Sequence, residues 1–193
     1  TRFKCDWSSD VCSSDLEKYK MTPQATDTTP GILRCYDTEL FVQTIKEARA
    51  NADYVVAVVH WGTEHTTVLE DVQRSSAREY IDAGADVIIG GHSHCLQGIE
   101  YYEDKPIFYS LGNFCFGGNS SPSDMDTMIF QQTFTITNDG VQDDNVTNII
   151  PCSISSASDY NNYQPTPAEG DEKTRIMEKI QERSSWIDTE NTY

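Results

Sequence analysis

The sequence predicts an α/β fold in which buried parallel strands alternate with helices and more antiparallel strands lie outside them. The first observation is that YVVAVVH (54–60) and DVIIGG (86–91) are continuously apolar, as is typical of parallel strands covered on both faces. The second is that a segment with helical spacing of apolar residues precedes each run. This alternation favours a single α/β domain, and 193 residues are enough to bury its core.

The first helix is predicted over ELFVQTIKEARAN (39–51), after a loop rich in Thr, Pro and Asp at 22–30. Either Asp37 or Thr38 can cap its first turn. Apolar side chains at helical spacing predict its buried face: Leu40, Phe41, Ile45 and Ala48.

The second helix is predicted from about Leu69 to Ala83, and Gly84 supplies the backbone freedom of a C-terminal cap. Three further apolar segments predict strands. They are KPIFYSLGNF (105–114), the alternating DTMIFQQTFTIT (126–137) and the short NVTNIIPC (145–152). Pro106 stands near the start of the first, where a missing N–H is tolerated. The last two suit outer antiparallel strands.

The C-terminal region, residues 153–193, is predicted to be a linker followed by a helix. Residues 153–167 are rich in Ser, Asn, Tyr and Pro, as linkers are. The helix is predicted over EGDEKTRIMEKIQERSSWI (169–187), and its charges are expected to form a solvated face. Its expected apolar contacts are Ile176, Ile180 and Trp186.

The charge balance limits the classes of partner. Asp and Glu total 31 against 14 Lys and Arg, which gives a net charge of −17. Nucleic acid and anionic membrane surfaces call for basic patches and are therefore disfavoured, whereas cation binding is favoured. No apolar run reaches the roughly 18 residues of a membrane span, and no signal or anchor is recognisable in the sequence. The six cysteines show no CxxC pairing or zinc-ribbon spacing.

The opening segment, TRFKCDWSSDVCSSDL (1–16), fits no predicted element. It has neither strand nor helix periodicity and no turn chemistry that leads into an element. Its part DWSSDVCSSDL resembles the translation of a sequencing-adapter read-through. We therefore expect residues 1–16 to be non-native and the native chain to extend further upstream, with a native polar loop as the alternative.

Three of the four histidines follow the most apolar strands. His60 ends the first strand, and His92 and His94 come just after the second. The carboxyl ends of neighbouring parallel strands meet at one edge of a sheet, so the three imidazoles gather there if these strands are neighbours. Gly90 and Gly91 let the backbone turn and approach a ligand. Because neutral imidazole is the commonest metal ligand, the pattern predicts a divalent transition metal such as Mn, Fe or Zn.

Other chemically able residues near these histidines are few. Glu64 can act as a hydrogen-bond acceptor behind a ligand, as a general base or as a loop charge. Asp86 starts its strand and is expected at the opposite edge in a structural role. Cys95 can ligate a soft metal but is expected to be a small buried residue, and Trp61 either lines the crevice or packs. His65, in a polar loop, is expected to take no part in the site, and Asp124 and Asp126 in the loop SSPSDMD (120–126) are expected to be solvated.

Together these segments resemble a known family. VVHWGTEH (58–65) and AGADVIIGGHSHCLQGIEYYEDKPIFYSLGNFCFG (83–117) resemble the C-terminal part of the CapA family of bacterial poly-gamma-glutamate capsule-synthesis proteins, within the calcineurin-like metallophosphoesterase superfamily. The family's HWGxE, GHxH and SLGNF motifs are matched in order and spacing. The resemblance covers about Gly31 to Pro151 and also suits the terminal helix.

The resemblance implies a two-sheet α/β sandwich, with mixed sheets flanked by helices, that holds two divalent metals at its strand ends. It places His60 and His92 on one metal and His94 on the other, with Glu64 as the candidate catalytic residue. Asn113 falls in the SLGNF motif, where a structural role in the turn is expected.

The chain departs from the superfamily in its first half, where an Asp near the first strand, a second acid and an Asn-His pair would be supplied. No Asn-His dipeptide occurs in the sequence. We therefore expect residues 17–152 to be the C-terminal part of the domain and to be inactive alone in two-metal hydrolysis. The missing N-terminal half of the same domain is then a partner, and its absence is expected to expose sheet edges and apolar surface.

The family resemblance implies a role in the biosynthesis or export of poly-gamma-glutamate or a related capsule polymer. A metal-dependent phosphoesterase unrelated to capsule and a non-enzymatic cell-surface scaffold that binds polymer or partner proteins are the alternatives. The expected substrate is the capsule polymer or a phosphoester-like compound, and a capsule-synthesis membrane complex is a further expected partner. An extracytoplasmic location, membrane-anchored or secreted in bacteria, is also implied.

Overall fold

The computed structural model describes residues 24–142 and 146–189, so the adapter-like segment 1–16 lies outside the described residues. Its elements confirm the α/β fold class. In chain order they are α1 (Thr38–Arg49), β1 (Val56–His60), α2 (Asp71–Asp82), β2 (Val87–Gly91), β3 (Ile99–Tyr102), β4 (Lys105–Phe108), β5 (Asp126–Thr133), β6 (Ile136–Thr137), β7 (Gly140–Val141), β8 (Val146–Ser153), β9 (Thr166–Pro167) and α3 (Gly170–Thr189). Within these ranges, no helix combines the length and apolar character needed to cross a bilayer.

The first sheet has four strands in the order β1-β2-β4-β3. The strand β2 is parallel to both β1 and β4, as the apolar runs predicted, and β3 is antiparallel to β4. The β3 strand was not predicted. It forms a hairpin with β4 through Glu103 and Asp104, which both have positive φ angles, and the turn lacks the glycine that usually marks such hairpins.

Two cores cover the two faces of this sheet. Helices α1 and α2 pack on one face, where the ring of Phe41 stacks on that of Tyr80 with centroids 4.4 Å apart. A second sheet, β5-β8-β9, and helix α3 pack on the other face, where Phe108 of β4 meets Phe130 of β5. This arrangement gives the two-sheet, helix-flanked architecture that the resemblance implied.

The expectation that β1 is covered on both faces is wrong. Ala57 and Val59 point into the helix-side core, but Val56 and Val58 on the other face are 48% and 43% exposed. The reason is that β1 is an edge strand among the described residues and the opposite core is built on β2 and β4. A continuously apolar strand is thus half exposed.

The predicted apolar contacts of the terminal helix need one correction. Ile176 and Ile180 are buried as expected, but Trp186 is 42% exposed and Ile187 is buried in its place. Eleven residues make just over three full helical turns, so position 187 returns to the face of position 176, whereas position 186 falls to one side.

Most charges of helix α3 are exposed as expected, but the expected solvation of Asp124 and Asp126 is wrong. Asp126 is buried and makes two 2.7 Å hydrogen bonds to the guanidinium of Arg175, and it also contacts Lys179. Asp124 pairs with Lys179 at 3.2 Å and with Arg183 at 3.6 Å. The basic residues are spaced by four, so they form one row on α3 that faces these carboxylates.

Asp86 has the structural role predicted for it at the amino edge of the first sheet. Its carboxylate accepts hydrogen bonds of 2.7 Å from the Arg49 guanidinium and from the backbone N–H of Val55. Lys105 lies 3.8 Å away. The charge of Asp86 therefore ties helix α1 to the start of two strands.

Candidate metal centre

The parallel register of β1 and β2 brings the predicted histidines together. His60 is paired with Gly91, so His92 follows immediately beside it. The Nε2 atom of His60 lies 2.9 Å from the Nδ1 atom of His92, and their ring centroids are 4.6 Å apart. The ring of His94 stands 6.1 Å from that of His92. Three imidazoles therefore share the carboxyl edge of the first sheet, where parallel strands place their ligands.

The backbone of the GHSH segment is strained. His92 and His94 have φ angles of 98° and 56°. An L-residue pays roughly 1–2 kcal/mol in this region. Such strain concentrates at functional sites, where the surrounding structure holds side chains in a required direction.

The two glycines before His92, Gly90 and Gly91, have different surroundings. A Cβ atom on Gly90 would lie 2.1 Å from the backbone oxygen of Tyr109 and 2.5 Å from Nε1 of Trp61, so this glycine permits close packing. Trp61 is fully buried and donates a 2.9 Å hydrogen bond to the same Tyr109 oxygen, so it packs rather than lining a crevice. A Cβ atom on Gly91 would have no neighbour within 4 Å, so the strand is open on the face that carries His60.

His94 is held by a residue that the sequence placed only in a turn. The Nδ1 atom of His94 lies 2.7 Å from Oδ1 of Asn113, and the Asn113 amide nitrogen lies 3.4 Å from the backbone oxygen of His94. Asn113 is 7% exposed. The contact fixes both the ring plane and the main chain of His94.

Glu64 lies on the other side of the same ring. Its Oε1 atom is 3.8 Å from Nε2 of His94, and its side chain is 48% exposed. The carboxylate is therefore near the imidazoles and open to solvent, as a base that exchanges protons with a bound water must be.

His65 joins the cluster, although it was predicted to take no part. Its ring stacks on that of His94 with centroids 5.7 Å apart, and its backbone N–H donates a 2.8 Å hydrogen bond to the oxygen of Ser93. All four histidines of the chain thus lie together. The signal available in the sequence was that His65 follows directly on the HWGxE motif.

A cavity of about 260 Å³ opens beside His94. Its lining residues are Glu64, His65, His94, Asn113, Phe116, Gly118, Asn119, Pro122 and Ser123. One wall is fastened by Asn161, which is buried and lies in the segment predicted to be a linker. The side-chain amide of Asn161 donates 2.9 Å hydrogen bonds to the oxygens of Phe116 and Asn119, and its backbone N–H donates to the oxygen of Ser120.

Cys95 fits the prediction of a small buried side chain. Its thiol donates to the backbone oxygen of Thr66 at 3.2 Å. Burial raises the pKa of the Cys95 thiol, which works against the thiolate that a soft metal would need.

The donor atoms fit a divalent transition metal in kind but do not form a complete cage. Among residues 24–142 and 146–189, no group of three or more His, Cys, Asp or Glu side chains is arranged to hold an ion. Imidazoles with a carboxylate are nevertheless the ligands that Zn, Fe and Mn accept.

Comparison with known proteins adds an independent finding. A family model described as bacterial capsule synthesis protein PGA_cap matches residues 3–118. The chain is 50% identical over 92 residues to the PGA biosynthesis protein CapA of Bacillus subtilis, covering 48% of this chain and 24% of the relative. It is 42% identical over 95 residues to the capsule biosynthesis protein CapA of Bacillus anthracis, covering 48% of this chain and 23% of that protein.

A more distant relative is a probable polyglutamine synthesis accessory protein of Mycobacterium tuberculosis, 38% identical over 63 residues, which are 32% of this chain and 16% of the relative. The matches to the two Bacillus proteins span about a quarter of those relatives' length. The family match covers more than half of this chain, and the protein therefore belongs to the bacterial capsule synthesis protein PGA_cap family.

Proposed function

We propose that this chain carries the histidine-bearing part of a metallophosphoesterase-type domain in a CapA-like protein. The domain acts in the biosynthesis or export of poly-gamma-glutamate or a related capsule polymer. The observation that carries the proposal is the contact between His60 and His92, with His94 beside them, at the carboxyl edge of two parallel strands in a member of this family.

The residues take separate roles. His60 and His92 hold one divalent ion, and His94 holds a second, with Mn, Fe or Zn as the candidates. Such ions polarise a phosphoryl or carbonyl oxygen and lower the pKa of bound water. Glu64 is the proton acceptor, because its carboxylate is close to His94 and still reaches solvent. A two-metal site also needs acidic ligands, which the described residues do not group with these histidines.

The charges of the chain bear on how a polyanionic polymer would be bound. The net charge is −17, and the best-placed basic side chains are already neutralised. Arg49 pairs with Asp86, Arg78 with Glu100, and the basic row of α3 with Asp124 and Asp126. A poly-gamma-glutamate chain would therefore be repelled unless divalent cations neutralise it, so its binding is expected to depend on the metal.

The setting proposed is the one the family implies. The protein acts outside the cytoplasm of a bacterium, anchored or secreted, within a capsule-synthesis membrane complex. This proposal rests on the family assignment and on the kinship with the two Bacillus CapA proteins.

One observation favours a second candidate function, a non-enzymatic scaffold. The exposed valines of β1, Val56 and Val58, form an apolar strip that ends at His60 on the same face. Contiguous apolar strips of this kind serve as contact surfaces. On this alternative, the strip binds a partner and the histidines have no catalytic task.

Metal binding tests the first proposal. The 193-residue chain is dialysed against Mn²⁺ or Zn²⁺, and bound metal is measured by plasma mass spectrometry. We expect His92→Ala to lower metal affinity at least about tenfold, because even the loss of a residue behind a ligand costs on the order of 10–100-fold. Asp53→Asn is the matched control, because it removes an exposed charge far from the histidines and measures cation binding to the acidic surface. Equal binding by all three proteins would overturn the metal assignment.

Ligand binding separates the candidate functions. Binding of poly-gamma-glutamate by calorimetry should require Mn²⁺ or Zn²⁺ and should be lost in His92→Ala. Metal-independent binding that survives this substitution would instead favour the scaffold. Metal-dependent hydrolysis of bis(p-nitrophenyl) phosphate without polymer binding would favour a phosphoesterase unrelated to capsule.

A further inference from the structure

Asn113 makes two contacts with one residue, and together they determine the protonation of a ring. Its Oδ1 atom lies 2.7 Å from Nδ1 of His94, and its Nδ2 atom lies 3.4 Å from the backbone oxygen of His94. A backbone carbonyl can only accept a hydrogen bond, so the amide N–H₂ must face it. The amide oxygen then faces the ring, and an oxygen can only accept. The ring nitrogen Nδ1 must therefore carry the proton.

We propose that Asn113 is a positioning residue that holds His94 as the Nδ1–H tautomer and leaves the lone pair of Nε2 directed at Glu64. Free histidine in water favours the opposite tautomer, with the proton on Nε2. The proposal deepens the proposed function, since an imidazole binds a metal through an unprotonated nitrogen. The assignment of the proton to Nδ1 of His94 does not depend on whether a metal ion binds.

The backbone around Asn113 is built to keep it in place. Gly112 has a φ angle of 75°, and a Cβ atom there would lie 2.9 Å from the backbone oxygen of Asp126. The N–H of Leu111 donates to the oxygen of Gly90 at 3.2 Å, and the hydroxyl of Thr127 donates to the oxygen of Leu111 at 2.8 Å. The SLGNF turn is thus fastened to the end of β2 and to the start of β5.

The tautomer determines what Nε2, on the other side of the His94 ring, can bind. With the proton on Nδ1, both Nε2 of His94 and Oε1 of Glu64 are acceptors, and they lie 3.8 Å apart. An unprotonated Nε2 can bind a metal ion, and the Glu64 carboxylate beside it remains the proton acceptor. By fixing the tautomer, Asn113 therefore prepares His94 for a metal ion before the ion arrives.

The tautomer can be observed directly in the metal-free chain. With ¹⁵N-labelled histidine, only four rings contribute to a long-range ¹H–¹⁵N spectrum, and His94→Gln identifies the ring of His94. The spectrum is recorded at a pH of about 8.5. We expect His94 to show a protonated Nδ1 and an unprotonated Nε2. A protonated Nε2 in the wild-type chain would overturn the proposal without any Asn113 variant.

Variants of Asn113 test whether it is the cause. Asn113→Ala should move the proton of His94 to Nε2, whereas Asn113→Asp keeps an acceptor and should keep the proton on Nδ1. Asn148→Ala removes an exposed asparagine on the second sheet and should leave the proton of His94 on Nδ1. If Asn113→Ala leaves the proton on Nδ1, Asn113 does not set the tautomer. Should Asn113→Ala fail to fold, Asn113→Leu takes its place, because it keeps the side-chain volume and also removes the acceptor, and it should move the proton to Nε2.

A metal titration then joins the tautomer to binding. Loss of the partner behind a metal-binding histidine costs on the order of 10–100-fold in affinity, so Asn113→Ala should weaken Zn²⁺ binding by that factor and Asn113→Asp should not. If the tautomer is as expected but the wild-type chain binds no metal, the proposed function fails and the positioning role stands. If metal binds but Asn113→Ala leaves its affinity unchanged, the positioning role fails and the proposed function stands.

Discussion

Two polar clusters touch the segment that follows β2, and they are built in opposite ways. In the cluster between α3 and residues 124–126, carboxylates meet cations, as in the bidentate pair of Asp126 with Arg175. In the histidine cluster, imidazole meets imidazole and the Glu64 carboxylate meets a ring nitrogen. Opposite charges complete the first cluster, whereas the second has the donors and the open space to take a cation. The contrast separates a structural cluster from one that is proposed to bind a metal ion.

Removal of a charge from the structural cluster should have the largest effect. Asp126→Ala leaves Arg175 and Lys179 facing a buried gap, so we expect the free energy of unfolding to fall by about 3 kcal/mol in urea titrations. This lies at the low end for a broken buried pair, because Arg175 is half exposed and Lys179 keeps Asp124.

The matched control for this change is Glu172→Gln. Glu172 also approaches Arg175, at 4.0 Å, but both side chains are half exposed, so its loss should cost less than about 0.5 kcal/mol. Equal losses in the two variants would show that the cluster contributes through surface charge rather than through burial.

The neighbouring glycines of β2 offer the next comparison, between filled and open space. Gly90→Ala sets a methyl group against the Tyr109 backbone and the Trp61 ring and should cost about 2 kcal/mol. Gly91→Ala meets nothing within 4 Å and should cost close to nothing. Thermal or urea unfolding of the pair checks this. A destabilised Gly91→Ala would mean that the face carrying His60 is not open.

The sequence predicted best where the signal is local. The strands β1 and β2 were found from their apolar runs, and their parallel pairing placed His60 beside His92. The burial of Asp126 was missed because its partners lie 49 and 53 residues further along the chain. No local pattern shows that a loop carboxylate will meet a helix folded back over it.

The sequence pointed to the candidate metal ligands of the site but not to the residues that contact them. Histidines at strand ends carry their own chemical signal, whereas Asn113 looked like part of a turn until the fold set it against His94. His65 was dismissed because a single histidine in a polar loop is usually solvated, and its stacking on His94 depends on the course of the loop. Residues that act through another side chain need the tertiary structure to be recognised.

Low pH should remove the stability that the Asp126 ion pairs contribute. Burial tends to raise the pKa of Asp126, but hydrogen bonds from Arg175 and Lys179 outweigh it and hold that pKa below its usual range. A lowered folded pKa adds stability above the unfolded value of ~3.9, and this stability is lost as the pH falls through the folded pKa. The urea midpoint should therefore drop below about pH 4, and less so in Asp126→Asn. An identical drop in both proteins would assign the acid sensitivity to other groups.

The smallest expected effect concerns strain in the histidine cluster. His65 has a φ angle of 59°, a region that glycine adopts without steric cost and other residues do not. His65→Gly and His65→Ala both remove the ring, so the difference between them isolates the backbone. We expect the glycine variant to be more stable than the alanine variant by about 1 kcal/mol in urea unfolding. Equal stabilities would mean that the loop relaxes out of the left-handed region once the ring is gone. In that case the stacking of His65 on His94 maintains the strained backbone. The histidine cluster would then be stabilised by contacts between its own side chains, as the structural cluster is by its ion pairs.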